Sequence, residues 1–463
     1  MAPWTLLVGR LRSLFERDTK GEAIFPLAVL SALYFFDEFD TAAFATLAPD
    51  IQRSFDLTDE KFIGLVIINA SLVVLLAVPV GYLADRVNRV HLVVISGILA
   101  GSFSLVTGLV SSVALLTFAR FGNGVGVLAN IPIHNSLLSD YYTPDSRPTV
   151  FANHTNALYL GAIFGPAVAG VAGAAFGWRA AFFICFIPII ITTVIATRLV
   201  EPARGSTDRP DGLLPMGGPP PGFRAACKTL WGVHTLRRTF WASIFLGAGL
   251  LPLAAYLPLF FEREYGLGPF ERGVIGAANA AVTFVGVQRG GRLTPAWFAK
   301  GMQVPMQRTG LVLAAVGPGL LLIVASPWLA GSVAFSLLTS YFVGYLFAPL
   351  AAVQALVSPA RERSLSFSLG AVFLVAGVIL FFITGLGGVS DAHGLRWALA
   401  VLAPFWIIGG AIAASAGQFV ERDVQLAFAA ASGPPPDASP EPPAGPDAST
   451  DLPPDRAAEP TPD

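Results

Sequence analysis

The stretch Gly81-Tyr82-Leu83-Ala84-Asp85-Arg86-Val87-Asn88-Arg89 joins an apolar run at 62–84 to another at 91–110. A membrane-spanning helix takes about 20 predominantly apolar residues. Both runs are therefore long enough to cross, and the join is only long enough to turn the chain back. Outward from this hairpin the same test finds twelve runs: 25–48, 62–84, 91–110, 113–138, 153–176, 178–199, 241–261, 271–288, 306–324, 331–356, 365–387 and 396–418. The polar break at 200–240 divides them six and six. The expected fold is an all-α membrane protein of twelve transmembrane helices in two six-helix halves.

Composition agrees. Of the 463 residues 54% are hydrophobic and 13% charged, about half the roughly 25% charge of a soluble domain. Mean hydropathy is +0.65. Twenty-nine Lys and Arg against 30 Asp and Glu give a net charge of −1, which excludes the basic surface that a nucleic-acid partner requires. Two cysteines, Cys185 and Cys227, are too few for a disulfide framework or a metal cluster. There is no Ser/His/Asp group at one depth and no phosphate-cradling loop. Neither a catalytic residue, a cofactor nor a metal is expected.

The segments follow from the runs. Residues 1–24 form a polar leader, with no cleavable signal, and are expected to be cytoplasmic. The N-terminal half is 25–199, the linker 200–240, the C-terminal half 241–418, and a disordered Pro-rich tail 419–463. Residues 433–463 alone hold eleven prolines and seven acids, a composition with little to bury. Phe223 to Phe240 mixes Arg224, Lys228, Arg237 and Arg238 with apolar residues, as a helix lying on an anionic leaflet or a plain basic connector does. With the N-terminus inside, 22 of the 29 cations fall on the cytoplasmic side; Arg53, Lys61, Arg179, Arg263, Arg272 and Arg396 fall outside, and Arg120 within a span. That bias predicts a multi-pass plasma-membrane protein with both termini cytoplasmic. A monomer is expected, with the bilayer as its surroundings.

Four charges lie where hydrocarbon should be: Asp37, Glu38 and Asp40 in the first run and Arg120 in the fourth. Each costs about 2.5–3.5 kcal/mol near the bilayer centre on insertion scales, so it needs a partner or a function. At 1.5 Å per residue Asp37 lies about 18 Å and Asp40 about 22 Å along the first helix, while Arg120 is about 20 Å from the same face. Asp37 and Asp40 point one way and Glu38 about 100° aside. The spacing predicts an Asp–Arg pair in the membrane, either a static link between helices or a site where protons are taken up and released. Arg120, Asn123, Asn130 and His134 share one face of the fourth helix, the polar stripe of a wet cavity or a helix contact. The second half is almost free of charge within its spans. Tyr256, Tyr341 and Tyr345 are its candidates for the cavity wall, which predicts a cavity polar toward the first half and aromatic toward the second.

Gly81-Tyr-Leu-Ala-Asp85-Arg86-Val-Asn-Arg89 resembles the signature of the major facilitator superfamily, and the six-plus-six layout agrees with it. The resemblance implies close helix contact at Gly81. It also implies a cytoplasmic charge latch between the halves from Asp85, Arg86 and Arg89, with Arg147 as a partner. Gly290-Gly-Arg292 looks like a degenerate second copy. Arg120-Phe-Gly-Asn-Gly124-Val-Gly126 resembles the fourth-helix motif of proton-coupled members. Gly161-Ala-Ile-Phe-Gly165-Pro166-Ala-Val-Ala-Gly170 resembles the fifth-helix motif of exporters, although helix packing alone also explains such spacing. Leu47-Ala-Pro49-Asp50-Ile51-Gln52 looks like spinster-type lysolipid transporters, but Thr41 and Val127 replace the Arg and Glu of that group. Asp37-Glu38-Phe39-Asp40 is similar to the Asp-Gly-x-Asp motif of aromatic-acid/proton symporters, with Glu38 in place of Gly.

The expected function is secondary active transport by alternating access. Protons would be carried by Asp37 and Asp40, with Glu38 beside them and Arg120 as their tuning partner. The leading substrate is a hydrophobic or amphiphilic organic molecule moved outward. The alternative is uptake of an organic or aromatic acid whose carboxylate binds Arg120, and an alternative of another class is a non-transporting receptor or scaffold.

Overall fold

The computed structural model describes residues 23–62, 64–66, 69, 76, 87–128, 130–142, 146–202, 223–358 and 363–432. Among these residues every regular element is a helix. The first half holds α1 (Ile24–Thr46), α2 (Ala48–Ser54), α3 (Arg89–Leu109), α4 (Val113–Leu128), α5 (Asn130–Tyr141), α6 (Arg147–Phe176) and α7 (Trp178–Ala196). A short α8 (Phe223–Gly232) precedes α9 (His234–Tyr265), α10 (Pro269–Phe298), α11 (Val304–Ala325), α12 (Leu329–Val357), α13 (Arg363–Ile383), α14 (Val389–His393) and α15 (Leu395–Ser432). Gly81, Asp85, Arg86 and the segments 1–22, 203–222 and 433–463 lie outside the described residues.

Seven of these helices are long and apolar enough to cross a membrane on composition alone: α3, α6, α7, α9, α11, α12 and α15. The 23-residue α1 is not among them, because Asp37, Glu38 and Asp40 dilute its apolar character. In α10, Asn279, Gln288, Arg289 and Arg292 do the same. Such helices are held by neighbours that satisfy their polar groups.

Two boundaries differ from the sequence expectation. The basic segment from Phe223 is not one surface helix to Phe240; it breaks at Val233, and α9 begins at His234 instead of 241. The last helix runs to Ser432, so 419–432 is helical and not part of a disordered tail. One interaction accounts for both. Asp423 of α15 is buried and accepts the Thr235 backbone N–H at 2.7 Å, capping the open N-terminus of α9. Phe419 adds a ring contact with His234 at 5.3 Å and lies 4.9 Å from the Arg238 guanidinium.

The two halves meet along α6 and α10 as well as at one end of the bundle. Small residues set the spacing. A side chain at Gly161 would strike the Phe35 carbonyl of α1, and one at Gly165 would come within 2.7 Å of the Phe39 carbonyl. A side chain at Gly170 would lie 2.7 Å from the Pro269 carbonyl of α10, and one at Gly273 would strike the Pro166 carbonyl. The run Gly161–Gly165–Pro166–Gly170 therefore fastens α1 on one side and the opposite half on the other. Gly165→Val is expected to lower stability by about 1–3 kcal/mol through overpacking. Gly291→Ala, where the nearest atom is 3.8 Å away, should leave it unchanged. Thermal unfolding of the purified protein in detergent reads both.

Candidate functional site

The ends of the bundle differ in how they are charged. At the end carrying α2, the α9–α10 turn and α14, the halves are bridged by ion pairs; this is called the latched end below. Asp50 pairs with Arg272 at 2.5 Å, Asp59 with Arg263 at 2.5 Å, and Glu262 with Arg53 at 3.0 Å. Gln52 donates to Asp59 at 2.6 Å, and Asp391 accepts the backbone N–H groups of Asp59 and Glu60. Arg272 and Asp59 are buried, so removing a partner of either leaves an uncompensated charge out of water, whereas an exposed pair contributes about 0–1 kcal/mol.

At the opposite end, which carries the described chain termini, Arg89 behaves differently from the inter-half latch implied by resemblance. It is buried, pairs with Asp140 at 2.5 Å and Glu201 at 2.7 Å, and donates to the Pro202 carbonyl. Asp140 belongs to the same half, and Glu201 and Pro202 to the first residues of the linker after α7, so Arg89 ties α3 to the end of α5 and to the chain leaving α7. Among the described residues, the ion pairs between halves all lie at the latched end. Of Arg147 and Asn130 only the backbone is described, at the starts of α6 and α5.

Between the halves lies a cavity of about 290 Å³. Ala42, Ala45, Ala162 and Pro166 line it on one side, and Leu250, Leu253 and Ala254 among others on the far side. Its polar groups are the reverse of the expected arrangement and gather mainly on the second half: Asn279, Thr283, Ser336, Thr339 and Ser340, with Thr46 on the first. The Asn279 side-chain oxygen accepts from Ser340 at 3.1 Å and from Ser336 at 3.3 Å, which fixes the amide. Arg272 lines the cavity toward the latched end. Its Nη2 is bound by Asp50, its Nε donates to the Gly268 carbonyl at 3.3 Å, and its buried Nη1 has no hydrogen-bond partner among the described residues.

The acids of α1 divide between two faces. Ala42 and Ala45 reach the cavity. At 100° per residue Glu38 lies on their side of α1, one turn below Ala42, whereas Asp37 and Asp40 point the opposite way. Burial agrees: Asp37 and Asp40 are buried and Glu38 is half-buried. Asp40 receives Arg120 Nη1 at 2.7 Å and the Ser104 hydroxyl at 2.5 Å. The guanidinium of Arg120 stands 4.4 Å from the Phe44 ring centroid. The pair predicted in the membrane is present, and it links α1, α3 and α4 inside the first half, away from the cavity.

The remaining stripe on the fourth span also turns inward to its own half. Asn123 donates to the Ala100 carbonyl of α3 at 3.2 Å. His134 is fully buried, its ring 5.2 Å from that of His154, which stacks on Tyr34 at 4.9 Å. None of these residues lines the cavity. Tyr256 is fully buried in the core on the far side of α9, and Tyr341 and Tyr345 line a separate pocket. Asn279 is one of the few strongly polar residues within the spans of the second half, a signal that sequence reasoning could have used. Asp50, Asp59 and Arg272 were concealed among loop charges.

Replacing Asp40 by Asn is expected to leave Arg120 as an uncompensated buried charge and to destabilise the protein by about 3–5 kcal/mol. The double variant Asp40→Asn, Arg120→Gln should recover most of that loss. Unfolding temperatures of the two variants and the parent measure it.

The Major Facilitator Superfamily model matches residues 30–307. The 4-hydroxybenzoate transporter PcaK of Pseudomonas aeruginosa is 31% identical over 179 residues, covering 37% of this chain and 39% of that protein. The multidrug export protein EmrB of Escherichia coli is 32% identical over 129 residues, covering 28% of this chain and 25% of that one. The matched stretches thus span well under half of these relatives. A bacterial homolog of the human lysosomal transporter Spinster, solved inward-facing and unoccupied, superposes with a TM-score of 0.73 at 20% identity, covering 86% of this chain and 98% of that one.

Proposed function

The chain belongs to the Major Facilitator Superfamily and is a multi-pass membrane transporter, and we propose that it moves a small organic acid with an apolar body, coupled to protons, by alternating access. The observation that carries this reading is an apolar cavity between the halves with Arg272 in its wall, one of whose buried nitrogens has no hydrogen-bond partner among the described residues. A substrate carboxylate satisfies that N–H group in a charge-assisted hydrogen bond. The Asn279 cluster orients a second polar substituent, and the alanine and leucine walls take the ring or chain. Arg120, the carboxylate site of the alternative reading of the sequence, is occupied by Asp40 and turned away from the cavity. The PcaK relative supports the same substrate class.

Glu38 is proposed as the proton carrier, because it is the acid of α1 on the cavity side. Asp37 and Asp40 lie behind it, and the Asp40–Arg120 pair holds α1 in place. The termini are assigned to the cytoplasm by the distribution of Lys and Arg; the latched end then faces outward, and the cavity takes up or releases substrate inward. One chain supplies both cavity walls, so the working unit is a monomer of two halves, 25–199 and about 234–418.

A second reading, export of an uncharged amphiphile, is favoured by the Gly161–Gly170 packing run and by the apolar walls. The two readings separate in proteoliposomes. With an inward-acid pH gradient the parent should accumulate 4-hydroxybenzoate on the side to which protons flow, and its amide analogue poorly. Glu38→Gln should reduce gradient-driven accumulation at least tenfold while keeping counterflow exchange. Full gradient-driven transport by Glu38→Gln removes the proton assignment. Equal transport of acid and amide, unaffected by Arg272→Gln, removes the acid reading in favour of the amphiphile.

A further inference from the structure

A second cavity, of about 350 Å³, opens on the flank of the second half at the end opposite the latch. It is enclosed by Trp297 of α10, Arg308, Leu311 and Val312 of α11, and Tyr341, Phe342 and Tyr345 of α12. Its frame is rigid for a reason visible in the backbone. A side chain at Gly286 would strike the Tyr341 carbonyl, and one at Gly290 the Tyr345 carbonyl. These glycines let α10 and α12 lie in direct contact and fix the two tyrosines side by side, their rings 5.9 Å apart. Trp297 lies 5.6 Å from Tyr345, and the Arg308 guanidinium stands 5.3 Å from the Trp297 ring centroid.

Two further observations bear on what this pocket holds. Arg289, Arg292, Lys300 and Arg308 are exposed at this end of α10 and α11, and none of them pairs with a carboxylate among the described residues. At the latched end Arg53, Arg263 and Arg272 all do. The rim, by contrast, is apolar: Leu311 is 68% exposed, beside the half-buried Val312 and Phe342. Arg308 in the pocket wall near the end of the spans, with other exposed cations on the same end of α10 and α11, and an apolar lip along their side match the two parts of a lipid. Single interfacial aromatics anchor a helix at the headgroup level; here four rings and a guanidinium enclose a volume.

We propose that this pocket binds an anionic phospholipid of the leaflet at that end. Its phosphate is taken by Arg308 within the field of Arg289, Arg292 and Lys300, with the tyrosine hydroxyls as neutral donors, and its acyl chain runs along Leu311 and Phe342. Basic pockets between transmembrane helices hold headgroups of this kind. The site is separate from the transport cavity, so it stands whatever the substrate is.

The test is thermal unfolding of the detergent-purified full chain titrated with phosphatidylglycerol, phosphatidylcholine or inorganic phosphate. Phosphatidylglycerol should raise the unfolding temperature at concentrations where phosphatidylcholine and phosphate do not. Arg308→Gln should shift the phosphatidylglycerol midpoint at least tenfold without changing the lipid-free unfolding temperature, and Leu311→Gln should weaken it from the acyl side. Equal responses to the two lipids, or a phosphatidylglycerol response unchanged in both variants, would reduce the pocket to a generic aromatic anchor. A full response to inorganic phosphate would make it a site for a free anion. Either result overturns the proposal.

Discussion

A guanidinium within hydrocarbon has to be neutralised and hydrogen-bonded by the protein itself, because the lipid tails offer neither a counter-charge nor acceptors. Arg120 meets that constraint through Asp40, and Asp40 in turn takes the Ser104 hydroxyl. The three side chains sit on α4, α1 and α3, so one buried charge fixes the mutual rotation of three helices. That rotation decides which face of α1 meets the other half. With Asp40 and Asp37 turned inward, Ala42, Ala45 and Glu38 are left on the side of the cavity. The cavity wall is set by an interaction that never touches it.

The second half solves the same problem with neutral groups. Threonine and serine hydroxyls bond back to carbonyls one turn earlier, as in Thr239, Ser243, Thr283 and Thr309. Asn279 gathers the hydroxyls of Ser336 and Ser340. Among the described residues, the ion pairs that orient this half against its partner stand at the latched end.

Much of this was legible in the sequence, because long apolar runs and rare membrane charges are strong signals. The helical architecture, the depth of Asp37, Asp40 and Arg120, and the pairing itself follow from run length and a 1.5 Å rise. The orientation of the polar stripe did not, since a helical face can look toward a cavity or toward its own bundle with the same spacing. Asn123 and His134 took the second course. The latch was hidden for another reason. Asp50, Asp59, Arg263 and Arg272 are ordinary loop charges in sequence, and only the folded chain brings residues some 200 positions apart into contact. Asp423 capping α9 is a long-range pairing of the same kind, and it moved two helix boundaries.

The Asp40–Arg120 pair also bears on how the protein is made. The three acids of α1 are made before α4, and the base that pairs with Asp40 comes 80 residues later. At about 5–20 residues per second that interval is roughly 4–16 s. During it, Asp40 lacks the partner that it has in the fold. The link between α1 and α4 therefore forms only after α4 has been made.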